Sequence, residues 1–232
     1  MYTFNPIKDL MSVIFSPRCI SCGRALIGDE RQLCVDCLCH IPFTGFAQIP
    51  DNALELLLTG VIPHVKATAL MYYQKNEPAQ RVIHDIKYHG NIQLARRFGR
   101  LLGTSMSDSH RFDDIDVIVP VPLHFIRHFQ RGYNQSLMIS QGLAETFSRP
   151  INPWLLFRTR YTITQTQQMH AARADNVKGA FKVFFPSKLK GKHLLLVDDV
   201  VTTGSTVKAC YEALKAIEGV RVSVATLSYA IK

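Results

Sequence analysis

Apolar and polar positions alternate between two periods along most of this chain. Val65–Tyr73 ("VKATALMYY") is a β-rich run. Over 78–107 the apolar positions Val82, Ile83, Ile86, Leu94, Ala95, Phe98, Leu101 and Leu102 recur at helical spacing, with a break at His89-Gly90-Asn91. Ile115–Pro122 ("IDVIVPVP") reads as a buried strand stopped by two prolines, 134–147 as a helix and Trp154–Phe157 ("WLLF") as a short strand. After a polar stretch over 158–178, the strand "HLLLV", a helix over 205–217 and the strand "RVSVATLSYA" close the pattern. Strands alternating with helices predict an α/β fold whose parallel sheet is covered on both faces.

The first 45 residues follow neither period and hold five of the six cysteines. A segment of this kind buries too little to stand without a staple. Cys19-x2-Cys22 and Cys34-x2-Cys37 are two paired knuckles, and four thiolates at that spacing suit tetrahedral, structural Zn2+ with no open position for catalysis. Cys39 and His40 are alternative ligands nearby, and Cys210 reads as a small core residue. The organisation expected is a cysteine module over 1–45, a connector over 46–64 with Pro50, Gly60 and Pro63, and a main domain over 65–232 with a lid loop at about 158–178.

The chemistry concentrates in "HLLLVDDVVTTGST" (His193–Thr206). An apolar strand ends in Asp198 and Asp199, where ligands of open α/β sheets bind. Thr202, Thr203, Gly204, Ser205 and Thr206 then lead into a helix. Small residues let backbone N–H groups converge on an anion, and the helix start adds partial positive charge. The carboxylates suit sugar hydroxyls or hydrated Mg2+, so a ribose 5-phosphate satisfies both halves. A simple helix cap accounts for Ser205 or Thr206 alone, but not for the two aspartates. Neither a Walker A loop nor G-x-G-x-x-G is present.

The net charge is +9, with pI ≈ 9.4. The excess sits between 111 and 190, and it suits either anionic partners or a solubilising surface. No apolar run is long enough to span a membrane and no cleavable leader is evident, so the expected location is the cytoplasm.

"LLLVDDVVTTGST" closely resembles the phosphoribosyl pyrophosphate (PRPP) signature of type I phosphoribosyltransferases. With the paired knuckles, "IKYHGN" (Ile86–Asn91), "PVPLHFIRHFQRGYNQS" (Pro120–Ser136) and "RTRYTITQTQQMHAARADNVKGAF" (Arg158–Phe181), nearly the whole chain resembles the ComF family, including its GntX-type members. The resemblance implies a type I phosphoribosyltransferase (PRTase-like) fold. It implies that Asp198 and Asp199 hold the ribose hydroxyls, directly or through Mg2+, and take any catalytic role. Thr202, Thr203, Gly204, Ser205 and Thr206 would hold the 5-phosphate. Val121, in the Val119–Pro122 turn, would lie in the pyrophosphate loop, with Arg127 and Arg131 as added donors. Arg160, Thr162, Gln165, Arg173 and Asn176 match the pattern of a closing lid, while Tyr161 and Gln168 depart from it. Arg127 and Arg131, like Lys87 and Tyr88, are read equally well as surface or helix-end residues. The family acts in uptake or use of external DNA, so single-stranded DNA and competence proteins are expected partners, and an oligomer is compatible with related enzymes. Three functions follow: a phosphoribosyltransferase, a PRPP sensor without turnover, and a single-stranded-DNA-handling adaptor.

Overall fold

A computed structural model describes residues 17–75, 77–123, 129, 131–159 and 179–230. Four strands form one parallel sheet in the order β1-β6-β5-β2: β1 (Ala67–Tyr73), β2 (Val117–Pro120), β5 (His193–Val201) and β6 (Arg221–Ala230). β5 and β6 are inner strands. Val/Ile/Leu-rich runs occupy these places because both faces are covered. Leu195 and Val197 join one core, with helices α3 (Pro78–Tyr88), α4 (Ile92–Ser109) and α5 (Gln135–Phe147). Leu194 and Leu196 join the other, with α2 (Ala53–Thr59) and α6 (Ser205–Leu214). The fold is therefore α/β with helices on both faces of a parallel sheet.

Helices α4 and α5 pack at unusually close range. A Cβ on Gly99 would lie 2.2 Å from the Ile139 carbonyl oxygen, and one on Gly142 would lie 2.0 Å from that of Arg96. Only glycine permits this approach. It holds α5 against α4.

Two expectations change. The strand after α5 is β3 (Leu156–Arg158), not Trp154–Phe157, and it pairs antiparallel with β4 (Phe181–Val183). The pairing partner lies beyond the polar loop, and it sets the register that local pattern placed two residues early. Trp154 is exposed. The last helix ends at Leu214 rather than 217, though Ile217 is still buried.

The 46–64 stretch carries α2, capped by Asn52, whose Oδ1 accepts from the Leu54 and Glu55 amides at 3.1 Å each. Phe46, Leu54, Leu58 and Ile62 are buried in the second core. The cysteine segment, with α1 (Val35–Cys39), contributes Cys19, Leu33, Cys34 and Cys37 to the first core, where they join Val82, Ile86 and Leu94.

Candidate functional site

The site grows from the far end of β5. Side chains alternate along a strand, so Asp198 and Asp199 emerge on opposite faces. Asp199 points toward α3, where Lys87 Nζ lies 3.2 Å from its Oδ1. Asp198 accepts a hydrogen bond from Ser136 Oγ at 3.1 Å, at the start of α5. Burial pushes the Asp198 carboxyl up, and the charge of Asp199 pushes it further, to about 7. One lysine thus faces two carboxylates in a place with little water. Such a pair gains from hydroxyl donors or a cation, which supply what the protein withholds.

The loop after β5 completes the arrangement. Gly204 sits at φ +72, a left-handed turn, and caps α6 without any side-chain hydrogen bond. Helices α2, α4 and α5 are instead capped by Asn52, Asn91 and Asn134. The first amides of α6 therefore remain available to an anion. Thr203 Oγ1 donates to Ser205 Oγ at 3.3 Å. Asp198, Thr202, Gly204, Ser205 and Thr206 bound one small cavity of about 30 Å³.

Around this centre, Tyr133 donates its hydroxyl to the Ile86 carbonyl, which fixes α5 against the end of α3. Burial pushes the Tyr133 hydroxyl up to about 12. The Arg131 guanidinium lies 5.7 Å from the Tyr88 ring centre and donates to Gln135 Oε1 at 3.0 Å. Val121 differs from its expected role. Its amide donates to Val197 O at 2.9 Å and its side chain is buried, so neither is free for a pyrophosphate. Arg127, Arg160, Thr162, Gln165, Arg173 and Asn176 lie outside the described residues. Sequence reading left Lys87 open and passed over Ser136. The "IKYHGN" element pointed at Lys87, but its pairing spans two distant elements that no local pattern joins.

The four cysteines converge. The Sγ atoms of Cys19, Cys22, Cys34 and Cys37 lie within 4.8 Å of one another, and Cys22 and Cys34 are 3.7 Å apart. A tetrahedron with metal–sulfur bonds of about 2.3 Å has edges near 3.8 Å, so the set fits a metal such as zinc. Backbone N–H groups of Cys34 and Cys37 donate to Cys19 Sγ and Cys34 Sγ at 3.4 Å each, as thiolates require. Burial opposes ionisation of Cys19, yet amides of Cys34, Cys22 and Ser21 outweigh it and bring the thiol down to about 6. Cys39 and His40 are exposed and stand outside the group, and Cys210 is buried in the second core.

This cluster is tied to the acidic pair through α3. Arg81 donates to the Ser21 carbonyl between the knuckle cysteines. Gln32 Nε2 donates to Asn91 Oδ1 at 3.3 Å, and Asn91 Nδ2 donates to Asp85 Oδ2 at 2.7 Å. Asp85 lies two residues before Lys87.

Comparison with known proteins identifies the family. Residues 110–231 match the model of the phosphoribosyl transferase domain, and the chain belongs to that family. Its relatives support the ComF resemblance within it. The chain is 29% identical to Competence protein F of Haemophilus influenzae, over 88% of this chain and 93% of that one. It is 37% identical to DNA utilization protein YhgH of Escherichia coli K12 over 133 residues, 56% of this chain and 58% of the relative's length. A solved hypoxanthine phosphoribosyltransferase of Staphylococcus aureus aligns with 58% of this chain and 64% of its own, at 14% identity and a TM-score of 0.38. No helix among the described residues is long and apolar enough to cross a membrane.

Proposed function

We propose that the carboxyl end of the sheet binds PRPP or a related ribose 5-phosphate compound and transfers its phosphoribosyl group. The observation that carries this reading is the juxtaposition of Asp198 with the uncapped, Gly204-turned start of α6. Amides and hydroxyls of Thr202–Thr206 take the 5-phosphate, and Asp198 and Asp199 take the ribose hydroxyls. Asp198 and Asp199 would also be the residues to hold Mg2+, directly or through water, and the ion would offset the charge of the pyrophosphate. In the transfer, the bond from ribose C1 to pyrophosphate breaks with its electrons leaving on oxygen. An acceptor nitrogen then forms the new bond to C1 and releases its proton to water. The chain's own part is to position charge around the oxocarbenium-like centre. Zn2+ in the four cysteines is structural in this reading. The names of the relatives, DNA utilization protein and Competence protein F, support placing the activity in the use or uptake of DNA.

Calorimetric titration of the metal-loaded protein with PRPP, with and without Mg2+, tests the reading. Saturable heat that vanishes in Asp198→Asn and Asp199→Asn supports it, and pyrophosphate release with candidate acceptors then separates a transferase from a PRPP sensor. Absence of heat, with no competition by ribose 5-phosphate, removes both and leaves the fold as a scaffold for single-stranded DNA.

A further inference from the structure

A second cavity lies at the other end of the sheet. It holds about 500 Å³ and opens beside the amino ends of β2 and β5, at Val117 and Lys192. The length of β5 separates it from the phosphate loop, roughly 30 Å at the rise of an extended strand. It is therefore distinct from the ribose-phosphate site.

Its floor is apolar, with Leu155 and Leu189 buried beneath it. Its rim is made of rings that the core does not use: Trp154 is 69% exposed and Phe185 65%. Leaving two large rings in water forgoes the stabilisation that burial gives. Phe185 also carries φ +53, a left-handed conformation that bulky residues rarely adopt, directly before Pro186. Strain and exposure fall on the same residue, and neither serves packing.

The rings continue away from the cavity. Trp154 and Phe157 are 6.3 Å apart and inclined by 27°, Phe157 and Phe184 are 4.4 Å apart, and Phe184 and Phe185 are 6.4 Å apart. Two ammonium groups stand beside them. Lys188 Nζ lies 5.3 Å from the Phe185 ring centre and pairs with no carboxylate among the described residues, while Lys192 is shared with Asp116 at 3.2 Å. Asn152 borders the same space. Its Oδ1 already accepts from the Trp154 amide at 3.1 Å, so its amide NH2 remains to meet a ligand.

We propose that this cavity is a second ligand site, for a nucleotide unit whose base stacks on Trp154 and Phe185 and whose phosphate meets Lys188 and Lys192. Planar rings beside cations call for a ligand that is both flat and anionic. A bare phosphate leaves the rings unused, and an apolar peptide leaves the ammonium groups unpaired. A second copy of this chain sets lysines of like charge around the same rings. The proposal stands apart from the ribose-phosphate reading and does not depend on it.

Trp154 is the single tryptophan of the chain, so its fluorescence reports on this cavity alone. The whole protein is titrated with AMP, with ribose 5-phosphate as the base-free control, and with a single-stranded deoxyadenosine hexanucleotide. AMP is expected to quench saturably and ribose 5-phosphate to leave the signal unchanged. Phe185→Ala and Lys188→Ala each weaken the quenching by about tenfold or more, while Asp198→Asn, aimed at the opposite end of the sheet, leaves it intact. Tighter quenching by the hexanucleotide assigns the site to units within a strand, and equal or tighter quenching by AMP assigns it to free nucleotides. Both are the same stacking chemistry. Lys188 is exposed, so Lys188→Ala stays interpretable even where Phe185→Ala disturbs the fold. The proposal is overturned by silence from both nucleotide probes, by equal quenching from ribose 5-phosphate, by quenching indifferent to Lys188→Ala, or by sedimentation showing a dimer that already covers Trp154.

Discussion

Strand β5 runs between two pairs of aspartates that meet opposite fates. At its amino end, Asp114 accepts from Lys66 Nζ at 2.9 Å and Arg221 Nη1 at 2.7 Å, with His193 Nδ1 3.1 Å away. Asp116 accepts from the His193 amide at 2.8 Å and from Lys192 at 3.2 Å. Burial works against the Asp114 charge, but its cationic donors prevail and hold the carboxyl well below the usual range. At the carboxyl end, Asp198 and Asp199 share one lysine and a serine hydroxyl, and burial drives Asp198 upward. The residue type is the same. The charge of the donors is what differs: Asp114 meets two cations and an imidazole, whereas Asp198 accepts from the Ser136 hydroxyl and the Asp199 amide.

The largest expected effect concerns what presents that one lysine. Lys87 stands on α3, and α3 is fastened to the cysteine segment through Arg81–Ser21 and Gln32–Asn91–Asp85. Stripping any bound metal with a chelator, or making Cys34→Ser, disturbs a cysteine cluster whose members belong to the first core. The expected loss is on the order of several kcal/mol of stability, read by thermal melting. Amide hydrogen exchange should rise along α3 as well as in 17–45. Unchanged protection of α3 would show that the acidic pair is organised without the cysteines.

Next come the acidic pairs themselves, compared directly. Asp198→Asn should weaken PRPP binding at least 100-fold, about 2.7 kcal/mol or more, while leaving the melting temperature level or raised, because a buried like-charge contact is gone. Asp114→Asn should do the reverse. If both variants lose stability and neither loses ligand, the two ends of β5 are alike and the contrast drawn here is void.

How much of this contrast the sequence shows depends on how local each feature is. The β1, β2 and β6 strands and helices α3 to α5 follow from hydrophobic period, and Gly90 marks the break between α3 and α4. The acidic pair and its loop are contiguous, so their chemistry is legible in one stretch. Two knuckles at fixed spacing announce the cysteine cluster, and the geometry excludes Cys39 and His40. What stays hidden is long-range. Lys87 meets Asp199 only because α3 packs over the end of β5. Asp114 and Asp116 look like turn residues until Lys66, Arg221 and His193 arrive from three other segments. The β3–β4 pairing bridges the polar loop, so "WLLF" alone misplaces its own register. Val121 matches a family position, yet its amide belongs to the sheet.

Lys87 allows a smaller test. Lys87→Met leaves two adjacent carboxylates with no cation beside them, and PRPP affinity should fall about tenfold, or 1.4 kcal/mol. Lys87→Arg should recover most of it, since either cation reaches the carboxylate. A methionine variant with unchanged affinity would mean that the lysine merely holds the empty site together and is displaced once ligand and Mg2+ arrive.

The smallest effect is the most diagnostic of the amino end. Asp114, Lys66 and Arg221 are partly exposed, so Asp114→Asn should cost only about 1 kcal/mol at neutral pH. Its signature is in the acid profile. Burial lowers the His193 pKa despite the opposing pull of Asp114, and Asp114 is itself depressed. Both groups therefore bind fewer protons folded than unfolded, and stability is lost as pH falls. The His193 part is lost below about 6.5 and the Asp114 part below about 4. In Asp114→Asn the second loss disappears, because no carboxylate remains to be protonated there. The first loss steepens, because His193 has forfeited the neighbour that favoured its charge. Denaturant unfolding from pH 7.5 to 3 reads both slopes. A variant whose curve runs parallel to the parent's would show that Lys66 and Arg221 are held at the strand end by something other than Asp114.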